Sequence, residues 1–416
     1  METWLSVVGV GEDGLDGITP VGRTLLHQSR IIVGGKRHLG LLPTEDKRKK
    51  LTWTSPISDV IHQIIQHRGE SVCVLASGDP MCYGIGVTLI QHIPFTEMRI
   101  IPAPSAFSLA CARLGWSLTE VETLSLCGRD LALLNALLYL KAKILVLSGD
   151  KTTPVKVAHY LTHQGYGNSQ ITVLERMGGP NERVTTGLAS SWTLTDLADL
   201  NTIALTVLPT DPFFTSHSPH TPGLPDSAYH HDGQLTKKEV RAITLSALAP
   251  TPGQLLWDVG AGCGSIAIEW MRSGRGCRAI AIDHHPIRCQ YITDNAVTLG
   301  VPHLTIVVGD APQALQNLPE PDAIFIGGGL TTPELLTTCW QFLRYGGRLV
   351  ANAVTVEGES LLYQWHHQWG GSLTRIAIQR AEPVGKFLGW KALAPITQWT
   401  ATKPPHLLSP NSCHAH

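Results

Sequence analysis

The stretch DVGAGCGSIAIE, residues 258–269, sets Asp258 two positions ahead of Gly260, Gly262 and Gly264, between an apolar strand pattern and an apolar helix pattern. Strand, glycines and helix in that order turn backbone N–H groups and a helix N-terminus toward a nucleotide. Ser265 stands where the dinucleotide fingerprint G-x-G-x-x-G wants its third glycine, which points away from NAD. Asp258, at the strand end, is placed to receive a ligand's ammonium group. Asp283 closes the next strand, AIAID, 19 residues past Gly264, near the spacing of about 20 at which a carboxylate bonds ribose hydroxyls. Asp310 closes the third strand, in VVGDAPQAL, where an adenine would lie. One such aspartate alone is as well explained by a helix cap or a turn. Three in order on successive strands, around a phosphate-free glycine loop, suit S-adenosylmethionine, which carries an ammonium, a sulfonium and a ribose.

The pattern resembles class I methyltransferases. That resemblance implies a cofactor site lined by Thr236, Gly260, Ala261, Gly262, Cys263, Gly264, Asp283, Asp310 and Ala311. After the fourth strand the chain reads IGGG with no Asn-Pro-Pro-Tyr, so the signature of base-amine methylation is missing. A net charge of −1 supplies no basic field, and neither nucleic acid nor a membrane surface is an expected partner.

The first half carries loops of the same kind: VVGVGEDGLDGIT after a first strand, LASGDPMCYGIG after a third, and PAPSAFSLA, where Ser105 can cap a helix. Singly they read as turns between strands and helices. Together they resemble the tetrapyrrole methylase family, whose members bind S-adenosylmethionine between a G-x-G loop, a G-D-P loop and a later serine-containing loop. The resemblance implies a second cofactor site lined by Gly9, Gly11, Gly78, Asp79, Pro80, Tyr83, Ser105 and Ala106. VGGKRHL at 33–39 and LSLCGRD at 124–130 resemble the branch that methylates a corrin precursor at carbon 5. DGQLTKKEVRA and GRLVANAVTVE in the second half resemble the enzymes that methylate carbon 15 and decarboxylate. The chain departs from these patterns at Glu12-Asp13, where the wider family has proline, and at Cys127, where the branch commonly has histidine.

What the resemblance implies is a bifunctional C-methyltransferase of corrin ring biosynthesis with two S-adenosylmethionine sites per chain. It would take the small-molecule tetrapyrrole precorrin-6B, or its cobalt form, to precorrin-8X by methylating carbons 5 and 15 and removing the ring C acetate carboxyl. A homo-oligomer is implied on the same ground. The alternative is a single methyltransferase whose first half is a non-catalytic module for tetrapyrrole binding or assembly. Lys237, Lys238 and Arg241, at a helix start, are candidates for gripping substrate carboxylates, with a solvated basic face as the alternative. Glu357, after ANAVTV, is a candidate proton relay, with an ordinary first-turn helix glutamate as the alternative.

These residues need scaffolds to hold them. At 416 residues and 43% hydrophobic, the chain has apolar material for two or three domains. Short β-branched runs alternate with helical stretches, which predicts α/β architecture with mostly parallel sheets. The fold class expected is a tetrapyrrole methylase fold of two α/β subdomains, followed by a class I, Rossmann-like domain with a doubly wound sheet. The expected domains are 1–208 and 233–402, with a proline-rich linker at 209–232 and a tail at 403–416. Strands are predicted at WLSVVGV, RIIVGG, SVCVLAS, MRIIPA, KILVLS, ITVLE and TIALTVL in the first half. In the second they are predicted at QLLWDVG, RAIAID, LTIVVGD, DAIFIGG, GRLVANAV, LTRIAIQ and ITQWTAT. Thr19 and Ser58 are expected helix caps. METWLSVVGVGEDG has no basic segment before its apolar run, and no stretch approaches the ~20 apolar residues of a membrane span. Nine cysteines without a C-x-x-C pair suggest reduced thiols and a cytoplasmic location, and no histidine has zinc-site spacing.

Overall fold

The structure is a computed structural model that describes residues 3–211 and 220–404. The chain forms two compact units: Met1–Leu131 with Leu140–Phe214, and Ala132–Tyr139 with Thr215–His416.

The first unit holds two sheets. β1 (Leu5–Val10), β2 (Ile31–Gly34), β3 (Lys49–Thr52), β4 (Val72–Ser77) and β5 (Met98–Ile101) form a parallel sheet in the order β3-β2-β4-β1-β5. Every residue of β1 and the first five of β4 are buried, as expected of strands covered on both faces. The helix Pro20–Gln28 is capped by Thr19, whose hydroxyl accepts from Gly22 N at 3.1 Å. Ser58 is not a cap. The helix Ile57–Gln66 begins one residue earlier, with extended Pro56 at the cap position, and the Ser58 hydroxyl turns to Asp59 instead.

β6 (Glu122–Ser125), β7 (Lys143–Leu147), β8 (Gln170–Glu175), β9 (Arg183–Leu188) and β10 (Asn201–Thr206) form the second sheet, in the order β6-β7-β10-β8-β9. Here the expectation of parallel pairing fails, because only β6 and β7 run parallel. β8 and β9 are joined by a connection too short for a crossover, so these neighbours run antiparallel.

In the second unit the strands are β11 (Leu255–Val259), β12 (Arg278–Asp283), β13 (Thr305–Val308), β14 (Ala323–Ile326), β15 (Arg348–Ala353), β16 (Ser372–Ile376), β17 (Gln379–Val384), β18 (Phe387–Ala392) and β19 (Ile396–Thr402). β17 and β18 pair only with each other. The rest form one sheet in the order β13-β12-β11-β14-β15-β19-β16, parallel through β15 and antiparallel at β19 and β16. Alternate residues of its strands feed two cores. Leu256, Ala281, Phe325 and Val350 belong to one; Trp257, Ile282, Ile324 and Leu349 belong to the other. Chain direction across the sheet reverses between β11 and β14, which opens a crevice at their carboxyl ends.

Composition reads 209–232 as connecting chain, but its later part is built into the second unit's core. Leu224, Ala228 and Tyr229 are buried, and the buried Glu269 carboxylate accepts from Gly223 N (2.6 Å), Leu224 N (3.0 Å) and the Tyr229 hydroxyl (2.9 Å). Residues 212–219 of that segment and 405–416 of the expected tail lie outside the described residues. Among the described residues no helix is long and apolar enough to cross a membrane.

Candidate active sites

Each unit contains a cavity at the carboxyl ends of its parallel strands. The one in the second unit has a volume of about 750 Å³. Its floor is the loop after β11, where Gly260, Gly262 and Gly264 all have positive φ, at 70°, 60° and 79°. A Cβ on Gly260 would lie 2.8 Å from Gly328 N, so the two loops meet backbone to backbone. Asp283 straps this floor down: its carboxylate accepts from Gly262 N and from His285 N, each at 2.9 Å. Thr236, Gly260, Ala261, Gly262, Cys263, Asp283, Asp310 and Ala311 line the cavity, as does Lys237.

Other expected site residues lie elsewhere. Gly264 is a packing glycine whose missing side chain makes room for Ile292. Asp258 is wholly buried behind the loop, where one carboxylate oxygen accepts from Ala267 N at 3.0 Å and the other has no partner. Burial pushes its pKa up to about 7. It steadies the start of the helix Ser265–Ser273 and does not reach the cavity to meet an ammonium group. Lys238 does not line the cavity, and its backbone N–H donates to Asp226. Arg241 cannot grip a substrate, because its fully buried guanidinium is committed to Glu269 at 2.6 Å and to the carbonyls of Thr236 and Leu224. Its work is to hold the Thr236–Lys237 wall in place. Glu357 is an exposed residue in the first turn of the helix Val356–Trp369, away from the cavity.

The first unit's cavity is about 420 Å³ and takes walls from both sheets. Gly11, Gly78, Asp79, Tyr83, Ser105 and Ala106 line it. Gly9 and Pro80 stand behind. A Cβ on Gly9 would strike the Gly78 carbonyl, and the Pro80 carbonyl accepts from Gly86 N at 3.0 Å. Asp79 accepts from Met81 N at 2.8 Å, and Ser105 caps the helix Ala106–Leu114 through Ser108 N at 3.1 Å. Tyr83 sits at φ 54°, its ring edge-on to Phe107 and under the Arg129 guanidinium at 5.4 Å.

Sequence reasoning missed this cavity's ionic cluster. Arg37 pairs with Glu12, donates to the Ser77 hydroxyl at 2.9 Å, and lies 3.1 Å from His38 Nε2. Burial, then the Arg37 charge, press His38 down to about 4, so the imidazole is neutral at physiological pH. Glu12, at a departure from the wider family's pattern, thus has a local purpose as the counter-ion of Arg37. Cys127, at the other departure, lines the same cavity with its thiol 3.2 Å from the Ser148 carbonyl.

The tetrapyrrole (corrin/porphyrin) methylase profile matches residues 5–192, and the precorrin methyltransferase domain profile matches residues 227–403. A precorrin-6Y C(5,15)-methyltransferase [decarboxylating] from Sinorhizobium sp is 45% identical over 400 residues, spanning 96% of this chain and 96% of that protein. The chain belongs to the decarboxylating precorrin-6Y C(5,15)-methyltransferase family. Shorter proteins match parts of it. Cobalt-precorrin-7 C(5)-methyltransferase of Salmonella typhimurium is 31% identical, over 43% of this chain and 88% of that protein. A probable cobalt-precorrin-6B C(15)-methyltransferase (decarboxylating) of Pyrobaculum aerophilum is 33% identical, over 42% of this chain and 92% of that protein. The expected fold class holds: a tetrapyrrole methylase domain is followed by a class I methyltransferase domain.

Proposed function

We propose that the chain is a bifunctional S-adenosylmethionine-dependent C-methyltransferase that methylates precorrin-6B, or its cobalt form, at carbons 5 and 15, and decarboxylates the ring C acetate to give precorrin-8X. The observation that carries this reading is the pair of glycine-loop cavities, one in each unit, with the glycine loops of each inside a different family profile. Both fit the cofactor. The second offers loop N–H groups and the carboxylates of Asp283 and Asp310; the first offers the close backbone approach at Gly11 and Gly78 beside Asp79 and Ser105. Hence two cofactor sites per chain, with carbon 5 served by the first unit and carbon 15 by the second.

S-adenosylmethionine supplies a methyl group on a sulfonium whose departure leaves a neutral thioether, so no acid is needed. The protein's task is alignment of a ring carbon within about 3–3.5 Å of that methyl. Lys237, which has no ion-pair partner among the described residues, suits a substrate carboxylate that is kept. Decarboxylation sends the C–C electron pair into the conjugated macrocycle as CO₂ leaves, and a proton from solvent completes the methyl group. A homo-oligomer belongs to the same reading, supported by the exposed apolar Phe387, Leu388 and Trp390 on the β17–β18 hairpin. The eight described cysteines are free thiols, which supports a reducing, cytoplasmic setting.

Asp79→Ala in the full chain tests the division of labour. The expected product lacks the carbon 5 methyl but carries the carbon 15 methyl and has lost CO₂. Normal carbon 5 methylation by this variant would contradict the reading.

A further inference from the structure

The second unit's cavity has two unlike walls. Beneath β11, β12 and β13 lie the glycine loop, Asp283 and Asp310. The residues that follow β14 are apolar, among them Leu335, Ile376, Ile378, Leu393 and Ile396. Only two polar side chains interrupt them among the described lining residues, Thr332 and Asn352.

Asn352 is locked in place. It stands on β15, half-buried, with its Nδ2 donating to Thr244 Oγ1 at 3.0 Å and its Oδ1 accepting from Gln398 Nε2 at 2.9 Å. Gln398 Nε2 also reaches Thr244 Oγ1 at 3.1 Å, which closes a triangle. Thr244 and Gln398 are buried, and with Gln398 Nε2 donating to both partners, Asn352 Oδ1 faces Gln398 while its Nδ2 faces Thr244. One N–H and one lone pair of Asn352 are left over. A buried polar network is tolerated when its members satisfy one another, and it then fixes geometry closely. This one fixes a single amide on an otherwise apolar wall, past the strand switch from the cofactor side.

We propose that Asn352 holds, through its free N–H, the acetate carboxylate that leaves as CO₂, an assignment that rests on the decarboxylating function proposed above. The choice of group follows from where charge moves. As the C–C bond breaks, negative charge passes from the carboxylate into the macrocycle. A lysine or arginine on that carboxylate would stabilise the ground state more than the transition state, and only the difference accelerates the reaction. A neutral amide in apolar surroundings orients the carboxylate without retaining its charge. Thr244 and Gln398 are then positioning residues.

The test uses full-length protein, precorrin-6B and two readouts: CO₂ release and cofactor affinity at the second cavity. Asn352→Leu should slow CO₂ release at least ~10-fold, the loss expected for a hydrogen bond to a charged group. Asn352→Asp should slow it further, by ~100-fold or more, because like charges then face each other. Cofactor affinity should stay within about twofold in both variants, with Gln398→Leu giving a smaller loss of CO₂ release than either. The proposal is overturned if CO₂ release survives in both variants or if cofactor affinity falls in step with it. It is overturned too if Asp outperforms Leu, which would mean that Asn352 accepts from a ring N–H instead. Wild-type protein that releases no CO₂ would instead sink the function on which the proposal rests.

Discussion

The two cavities are built by different means. In the second unit the floor is made by backbone conformation: three left-handed glycines on one loop, strapped by Asp283, with Asp258 buried behind them. In the first unit, side chains from several elements converge and carry paired charges into the cavity, with Glu12 on Arg37 and His38 at their side. A site made of backbone is sensitive to one added carbon. A site made of side chains is sensitive to protonation and to its counter-ions.

The largest contrast should appear with pH. His38 is pressed down to about 4, so the unfolded state binds its proton first as pH falls below 6.5. The first unit should lose up to about 3 kcal/mol as pH drops from 6.5 to 4. Asp258 is raised from 3.8 to about 7, so the folded state holds its proton longer and the sign reverses. The second unit should lose up to about 4 kcal/mol as pH rises from 3.8 to 7, and Asp258→Asn should abolish that loss. Hydrogen exchange followed separately in β1–β4 and β11–β12 peptides reads the two slopes; slopes of one sign in both units would break the comparison.

Next in size, Gly260→Ala must fit a Cβ against the Gly328 backbone at 2.8 Å with φ 70°. It should weaken cofactor binding in the second unit ~100-fold or more, since backbone strain and overlap each cost on the order of 1–3 kcal/mol, while leaving the first unit's binding unchanged. Asp283→Ala removes the acceptor for two backbone N–H groups and should cost roughly 10- to 50-fold at the same site, both losses being read by calorimetric titration of S-adenosylhomocysteine. The smallest effect is at Glu12→Gln. Releasing Arg37 toward an anionic substrate should lower the KM of carbon 5 methylation by about two- to fivefold and leave carbon 15 untouched. A raised KM would show instead that Glu12 is needed to aim Arg37.

Much of this scaffold is legible in the sequence because buried strands must be continuously apolar. The strands that escape notice, β3, β6 and β9, are sheet edges, where one neighbour and partial exposure permit KKLT, ETLS and RVTTGL. The β17–β18 hairpin escapes too, being exposed along most of its length. Glycine loops announce cavities because spacing carries their geometry. Side-chain roles do not announce themselves: Arg241 has the right charge and helix position for a substrate grip, yet Glu269, distant in sequence, takes it out of solvent. Asn352 has nothing to single it out until Thr244 and Gln398 are seen to hold it.

The most direct test of two methyltransferase sites in one chain is a calorimetric titration of S-adenosylhomocysteine into full-length wild-type protein and into Gly260→Ala. The expected result is two sites per chain in the wild type and one in the variant. A single site in the wild type, lost in the variant, would contradict it and leave the first unit without a cofactor of its own.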